Sequence, residues 1–145
     1  MKLDEVFGQW KKDSKIDRND LTGESLRISE LHWKYLQIYT SEKLVFNRKN
    51  ADYKILFRLK FEYYLGTLSD EELKEKGWEP NPLRIIRQDL QTYIDADKDI
   101  VQANLMLLQQ EEKVSALENI IKSINNRSFN INNALNDIKF KNGEN

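Results

Sequence analysis

The feature that most constrains the fold is a stretch from Asp20 to Leu65 that contains no proline and, after Gly23, no glycine. Apolar side chains recur in it at steps of three and four residues, among them Ile28, Leu31, Tyr35 and Ile38. This spacing is typical of an amphipathic α-helix, and no helix-breaking residue interrupts it. The pattern predicts one long helix, or two helices with a bend near residues 47–50, ended by Gly66 as a left-handed cap.

Shorter helical patterns lie on either side of this stretch. Residues 1–13 predict a first helix, and either Asp20 or Thr22 is placed to cap the second, with Gly23 a mild weakness in its first turn. Ser69 has capping-box spacing to an acid three residues later, which predicts a short charged helix. The linker Glu79–Pro82 then leads to a further helix, with Pro82 in its first turn and the stripe Leu83, Ile86, Leu90 and Tyr93.

The last part of the chain has the most regular pattern. Residues that are mostly apolar recur at alternating three- and four-residue steps over about three and a half heptads. They are Ile100, Ala103, Leu107, Gln110, Val114, Leu117, Ile121 and Ile124. Val101, Leu105 and Leu108 widen this seam, which indicates packing on more than one neighbour. A short amphipathic tail follows, and we expect its apolar residues to share one face that needs a partner subunit to cover it.

These patterns predict an all-α fold of long amphipathic helices, ending in a coiled-coil-like helix and a short helical tail. We expect a single compact unit with two functional regions, residues 1–82 and residues 83–145. The second region is the expected oligomerisation region, and its candidate contact residues are Ile121, Ile124, Phe129, Ile131, Leu135 and Ile138.

Composition narrows the possible functions. The chain of 145 residues has no cysteine and one histidine, and its five glycines are too far apart for a phosphate-binding loop. The acids of residues 95–99 resemble a calcium loop, but Ile100 stands where that loop needs glycine, so they are better explained as acids at a helix start. No apolar run reaches the length of a membrane span. The sequence therefore predicts a protein that is not an enzyme and has no cofactor, metal site or membrane segment.

Positive charge is concentrated in one part of a nearly neutral chain. The net charge is -1, yet the segment from Lys43 to Lys60 holds six cations and one acid. On a helical projection of about 100° per residue, we place an aliphatic core face on one arc: Leu44, Val45, Ile55, Leu56, Leu59 and Tyr63. The other arc carries the cations, interleaved with Phe46, Tyr53, Phe57, Phe61 and Tyr64.

Cations that meet phosphates, alternating with rings on which bases stack, are typical of sequence-neutral binding of single-stranded nucleic acid. The alternative interpretation is that the lysines are only solvated and that the rings are buried between helical layers. On the projection alone, both interpretations remain open.

The segment Arg58–Gly66 supplies a more specific signal. It reads as a basic–x–basic pair, a hydrophobic residue, an acid, two tyrosines and a glycine two positions later. In this motif, and in shorter stretches at residues 11–17, 96–100 and 121–131, the sequence resembles the UvsY family of recombination mediator proteins of T-even-like bacteriophages. The resemblance extends over nearly the whole chain. It departs from the family pattern at Leu59, where a small residue is expected, and at an insertion of residues 124–126.

The resemblance implies a non-enzymatic protein that binds single-stranded DNA and forms ring-like hexamers or heptamers, partly through its C-terminal helix. It also implies two protein partners, a RecA-like phage recombinase and the phage single-strand-binding protein, in the cytoplasm of the infected bacterial host. In this function the protein helps the recombinase to displace the single-strand-binding protein during homologous recombination and DNA repair. By the same resemblance, Arg58 and Lys60 are the cations that contact DNA.

The projection adds Lys54, Lys43, Lys49, Tyr63 and Tyr64 as further candidate DNA-binding residues, although Tyr63 projects toward the core arc. Two other functions remain as alternatives. One is a passive single-stranded DNA-binding accessory protein, and the other is a purely structural helical assembly protein.

Overall fold

A computed structural model describes residues 1–81 and 85–143 of the chain. Within these ranges the chain forms α-helices and no β-strand, which confirms the predicted all-α fold. In chain order the helices are α1 (Leu3–Asp13), α2 (Leu21–Leu65), α3 (Asp70–Lys76), α4 (Arg87–Asp95), α5 (Lys98–Asn125) and α6 (Arg127–Lys141). No helix in the described part of the chain combines the length and the apolar character needed to cross a membrane.

Helix α2 is one continuous helix of 45 residues, so the alternative with a bend is wrong. Of the two expected caps, Asp20 accepts the amide of Gly23 on its carboxylate at 3.0 Å. A Cβ on Gly23 would collide with that carboxylate, so this glycine makes room for the cap rather than weakening the first turn. At the other end, Gly66 has a φ of 76° and stops the helix as expected.

The segment between α2 and α4 is also close to the prediction. Ser69 and Glu72 form the expected capping box at the start of α3, and Gly77 ends that helix in the left-handed conformation. Helix α4 begins only at Arg87, after extended backbone at Ile86. The expected roles of Pro82 and Leu83 lie outside the described residues.

The chain forms two compact units rather than one. The first contains Met1–Leu44 together with the chain from Glu111 onward, and the second is Val45–Gln110. This division differs from the predicted one at residues 82 and 83, because α2 and α5 are each long enough to contribute to two cores. The linker at residues 79–82 instead joins consecutive helices within the second unit.

The first unit has a core built from one face of each of three helices. Val6 of α1, Leu31 and Tyr35 of α2, and the α5 residues Leu117, Ile120 and Ile124 are buried together, with Ile121 packed against them. Trp10 packs edge-on against Tyr35, with 5.4 Å between the ring centres. Ile124 therefore belongs to the core of a single chain, which corrects its expected place in a subunit interface, whereas Ile121 packs against this core and is only partly buried.

The second unit has its own core, and α2 turns its aromatic side toward it. Tyr53, Leu56, Phe57, Tyr64 and Leu65 pack against the buried residues Ile85, Leu90, Ile94 and Ile100. In contrast, Ile55, which we had placed on the core arc, is 57% exposed, and Leu44 in the other unit is exposed as well. The helical projection is thus wrong for Ile55 and Leu44, whereas Leu56 packs against the core as expected.

Candidate nucleic-acid interface

The outward side of α2 in the second unit carries a row of three side chains at helical spacing. Lys54, Arg58 and Phe61 lie four and then three residues apart, so they share one face of the helix. All three are exposed, and the side chain of Arg58 is 72% exposed. We call this row the basic stripe. It places two cations and one aromatic ring on the same exposed surface.

Among the residues that the structure describes, Arg58 pairs with Glu62, and that pair is weak. Its Nε lies 4.0 Å from Oε1 of Glu62, one helical turn further along α2. Solvated pairs of this kind contribute about 0–1 kcal/mol. A phosphate that approaches the stripe can therefore replace Glu62 at little cost, and the planar guanidinium suits a bidentate contact to it.

Two other candidate cations of α2 have different surroundings. Lys49 lines an open cleft of about 290 Å³ together with Asp52, Tyr53 and Leu56 of α2 and Ala103 and Met106 of α5. Lys43 is half-buried and belongs to the first unit. Of the candidate cations outside the basic–x–basic motif, only Lys54 shares the stripe with Arg58.

Lys60, the second cation of the motif, is buried. It is 4% exposed, and its ammonium lies 3.1 Å from Oδ2 of Asp97 and 2.9 Å from Oδ2 of Asp99. The same ammonium lies over the face of Trp78, 4.0 Å from the ring centre. The expectation that Lys60 lies on an exposed arc is therefore wrong, because two carboxylates and an aromatic face stabilise its charge inside the second unit.

Asp97 joins this cation to two other elements of the second unit. Its Oδ1 accepts the amides of Asp99 at 2.9 Å and Ile100 at 3.1 Å, which caps the start of α5 and confirms its interpretation as a helix-start acid. Burial alone raises the pKa of this carboxyl. Hydrogen bonds from Tyr64, the Ile100 amide and Lys60 outweigh that effect and hold its pKa below the ordinary 3.8.

The tyrosine pair faces the same network rather than the basic stripe. The Tyr64 hydroxyl donates to Oδ2 of Asp97 at 2.6 Å, and the Tyr63 hydroxyl donates to the Glu79 carbonyl at 2.7 Å. The two rings meet edge-on at 5.1 Å, and Tyr63 also packs edge-on against Trp78 at 5.4 Å. Burial and the bond to Asp97 raise the pKa of Tyr64, so its hydroxyl stays a donor. Both hydroxyls and both rings therefore already have partners within the second unit, which favours a structural role for the pair.

Three of the expected stacking rings are used by the second core, and Phe46 is half-buried. Tyr53, Phe57 and Tyr64 pack against the second core, whereas Phe61 remains exposed beside Arg58. In the sequence, Phe61 is one of five rings interleaved with the cations of α2, and composition alone does not distinguish it from the others. Its spacing of three residues from Arg58 was the available signal.

Helix α6 carries the second exposed surface of interest. Phe129, Leu135 and Ile138 are exposed, and so is Phe140, at 82%. Ile131, in contrast, is buried in the first unit, because it lies two residues from Phe129 and thus on the other side of the helix. The expectation that the four tail residues share one face is wrong for Phe129.

The basic stripe of α2 offers cations and an exposed ring to an extended anion that carries stackable bases. Within residues 1–81 and 85–143, no group of three or more acidic or histidine side chains could hold a metal ion.

Comparison with known proteins identifies the family to which the chain is similar. The family model described as "Recombination, repair and ssDNA binding protein UvsY" matches residues 9–144. The "Recombination protein uvsY" of Enterobacteria phage T4 is 24% identical over 131 residues, which cover 90% of each chain.

Solved structures give the same result for the fold. A crystal structure of the bacteriophage T4 recombination mediator protein UvsY, in lattice type IV, matches with a TM-score of 0.84 and 24% identity, and covers 97% of this chain and 99% of that one. The lattice type II structure matches with a TM-score of 0.85 and 23% identity, over 97% and 98% of the two chains. At these identities, the likeness to the solved structures shows that the fold is shared.

Proposed function

Because the chain belongs to the UvsY family of recombination, repair and ssDNA-binding proteins, we propose that it is a phage recombination mediator. In this proposal it binds single-stranded DNA and helps to load a RecA-like recombinase onto strands coated by single-strand-binding protein. It acts in homologous recombination and repair, in the cytoplasm of the infected bacterial host. Its partners are the DNA strand, the recombinase, the single-strand-binding protein and further copies of itself.

The basic stripe is the observation that supports DNA binding most directly. Lys54 and Arg58 present two cations one helical turn apart, and Phe61 adds an exposed ring on the same face. Phosphates bind the cations, and a base stacks on the ring for about 1–3 kcal/mol. These contacts involve no base edges, so the proposed binding is independent of sequence.

The other candidate residues have different roles in this proposal. Lys49 and Lys43 are auxiliary cations that attract the strand without belonging to the stripe. Tyr63 and Tyr64 support the end of α2 through their hydrogen bonds and ring contacts.

Self-assembly would make these weak contacts effective. Each copy presents one short stripe, and several copies in a ring of six or seven subunits bind one strand with a high effective concentration. The exposed apolar side chains of α6, chiefly Phe129 and Phe140, are the surface that we propose for contacts between copies.

Salt dependence of binding tests the stripe. Each phosphate contact to a single strand contributes about 0.7 to the slope of log affinity against log salt. Arg58→Ala should reduce this slope by about 0.7, and Arg58→Ala with Lys54→Ala by about 1.4. The matched control is Lys76→Ala in the acidic helix α3, which removes an exposed cation elsewhere in the same unit. Equal slopes for Arg58→Ala and Lys76→Ala would place the DNA contact on another surface.

A loading assay separates a mediator from a passive DNA-binding protein or a purely structural assembly protein. The rate of recombinase filament formation is measured on single strands already coated with single-strand-binding protein. We expect the unaltered chain to accelerate filament formation and Arg58→Ala to do so less. DNA binding without acceleration would reject the loading function and leave the passive alternative. Absence of DNA binding would favour the structural alternative.

A further inference from the structure

We infer that Lys60 serves DNA binding as a positioning residue: it holds the end of α2 against the start of α5 and does not itself contact the strand. The inference rests on the proposed DNA binding by the basic stripe. It assigns different roles to the two cations of the basic–x–basic motif. Arg58 contacts phosphate, and Lys60 keeps Arg58 and Phe61 in position.

The ammonium group of Lys60 already has a partner for each of its three N–H donors. Two carboxylate oxygens lie 2.9 and 3.1 Å from Nζ, and the face of Trp78 lies 4.0 Å from it. A lysine ammonium has three N–H donors, and these neighbours occupy the directions in which they point. A phosphate could reach Lys60 only if the buried ion pairs separated, which would leave Asp97 buried without its cation.

Helix geometry gives a second, independent argument. Two residues two positions apart on an α-helix lie about 200° apart around its axis. Arg58 is exposed on the outward side, so Lys60 must point to the inward side, where it is found. A strand that lies along the basic stripe therefore has the body of α2 between itself and Lys60.

The contacts of Asp97 explain how Lys60 affects the stripe from the inward side. One carboxylate pairs with Lys60 and accepts from Tyr64, both near the end of α2, and it caps α5 through two backbone amides. The cluster thus connects the last turns of α2 to the first turn of α5. Loss of the Lys60 charge leaves a buried carboxylate without its cation, and the end of α2 that carries Arg58 and Phe61 is then less well ordered.

Replacing both members of the buried pair gives a decisive test. Lys60→Met keeps an unbranched side chain but removes its charge, and Asp97→Asn removes the unpaired charge while keeping one oxygen to cap α5. The amide nitrogen of the asparagine then faces the Tyr64 hydroxyl, which can accept a hydrogen bond from it. Lys60→Met alone should weaken binding to a short oligothymidylate by about fivefold or more, as if one stacked base were lost. The double variant, which has no cation at position 60, should bind within about twofold of the unaltered chain, because the neutral pair removes the buried charge.

The salt slope serves as the second readout. The double variant should keep the full slope, whereas Arg58→Met should lower it by about 0.7 and should not be restored by Asp97→Asn. If the double variant binds as weakly as Lys60→Met and its slope is also about 0.7 lower, Lys60 contacts DNA and the inference is wrong.

Asp97→Asn alone extends the test to a variant that retains Lys60. A positioning role predicts weaker binding, because the network around Asp97 is loosened. A contact role predicts tighter binding and a steeper slope, because a cation is released and an acid is removed. Thermal unfolding followed by circular dichroism identifies any variant that fails to fold.

The outcomes also distinguish this inference from the proposed function. If the unaltered chain does not bind single-stranded DNA, both the proposed function and the inference about Lys60 are wrong. If it binds and Arg58→Met has its expected effect while the double variant stays weak, only the positioning role of Lys60 is overturned.

Discussion

Arg127 is a buried cation whose removal should destabilise the first unit strongly. It stands at the start of α6 and is 3% exposed. Its guanidinium lies 2.8 Å from Oε2 of Glu24 on α2, and it donates to the Ser14 carbonyl at 3.1 Å. It thereby ties α6 to α2 and to the loop after α1. The proposed change is Arg127→Met, which keeps an unbranched side chain and removes the charge.

The expected loss of folding stability arises because Arg127→Met leaves the carboxylate of Glu24 without its main cation. Glu24 is also buried, and removing one partner of a buried ion pair costs about 3–5 kcal/mol because a charge remains without compensation. Arg27 stays 3.4 Å from Oε1 of Glu24, so we expect a value near the lower limit, about 3 kcal/mol. With a urea dependence of about 2 kcal/mol per molar, the unfolding midpoint should fall by about 1.5 M.

The assay is urea unfolding followed by circular dichroism, at one fixed protein concentration because self-association would shift the midpoint. The matched control is Lys141→Met on the same helix, whose partner Asp137 is exposed, and its midpoint should hardly move. Adding Glu24→Gln to Arg127→Met should restore at least half of the lost stability, because no unpaired charge then remains. Equal midpoint shifts for Arg127→Met and Lys141→Met would refute the importance of this buried pair.

Three further predictions use other parts of the chain. Gly8→Ala should stabilise the protein by about 0.5–1 kcal/mol, whereas Gly23→Ala should give no gain, because its Cβ would displace the carboxylate that caps α2. The two variants are compared by their urea unfolding midpoints, and equal gains in stability would contradict this account of the cap. Replacing Phe129 and Phe140 by Ser should lower the mass of the native particle in light scattering, and an unchanged mass would exclude this surface of α6 as the subunit contact. The pKa of Asp97 is lower in the folded state than its ordinary 3.8, so the stability that this carboxylate contributes is present above pH 3.8 and is lost as the pH falls through the folded pKa. Asp97→Asn should therefore reduce the loss of folding stability in acid. An unchanged loss would contradict the stabilising role of the Asp97 carboxylate.

The fold could largely be predicted because its elements depend on local chemistry. A long stretch free of helix breakers gave α2, and the caps at Asp20, Ser69 and Gly66 act within a few residues of their positions. The inward rows of α5 were also predictable, because a repeat of three- and four-residue steps indicates one buried side. Val114, Leu117 and Ile124 are buried as that repeat requires.

The buried charges could not be predicted because their partners are distant in the sequence. Arg127 pairs with Glu24 across 103 positions, and Tyr64 bonds to Asp97 across 33. No local pattern marks a lysine or arginine that will meet a carboxylate inside the fold. For the same reason, the oligomerisation surface predicted from apolar residues alone included Ile124, which the core of a single chain already uses.

The orientation of α2 in the second unit follows from these distant partners. The helix has two sides that could be buried, an aromatic side that contains Lys60 and an aliphatic side that contains Ile55. Burial of the aromatic side places Lys60 inside the second unit, and burial of an unpaired lysine is costly. Asp97 and Asp99 offset that cost by pairing with Lys60, and Ile55 and Arg58 then lie on the outward side. The exposure of the proposed DNA-contacting arginine is therefore a consequence of the burial of the lysine two residues away.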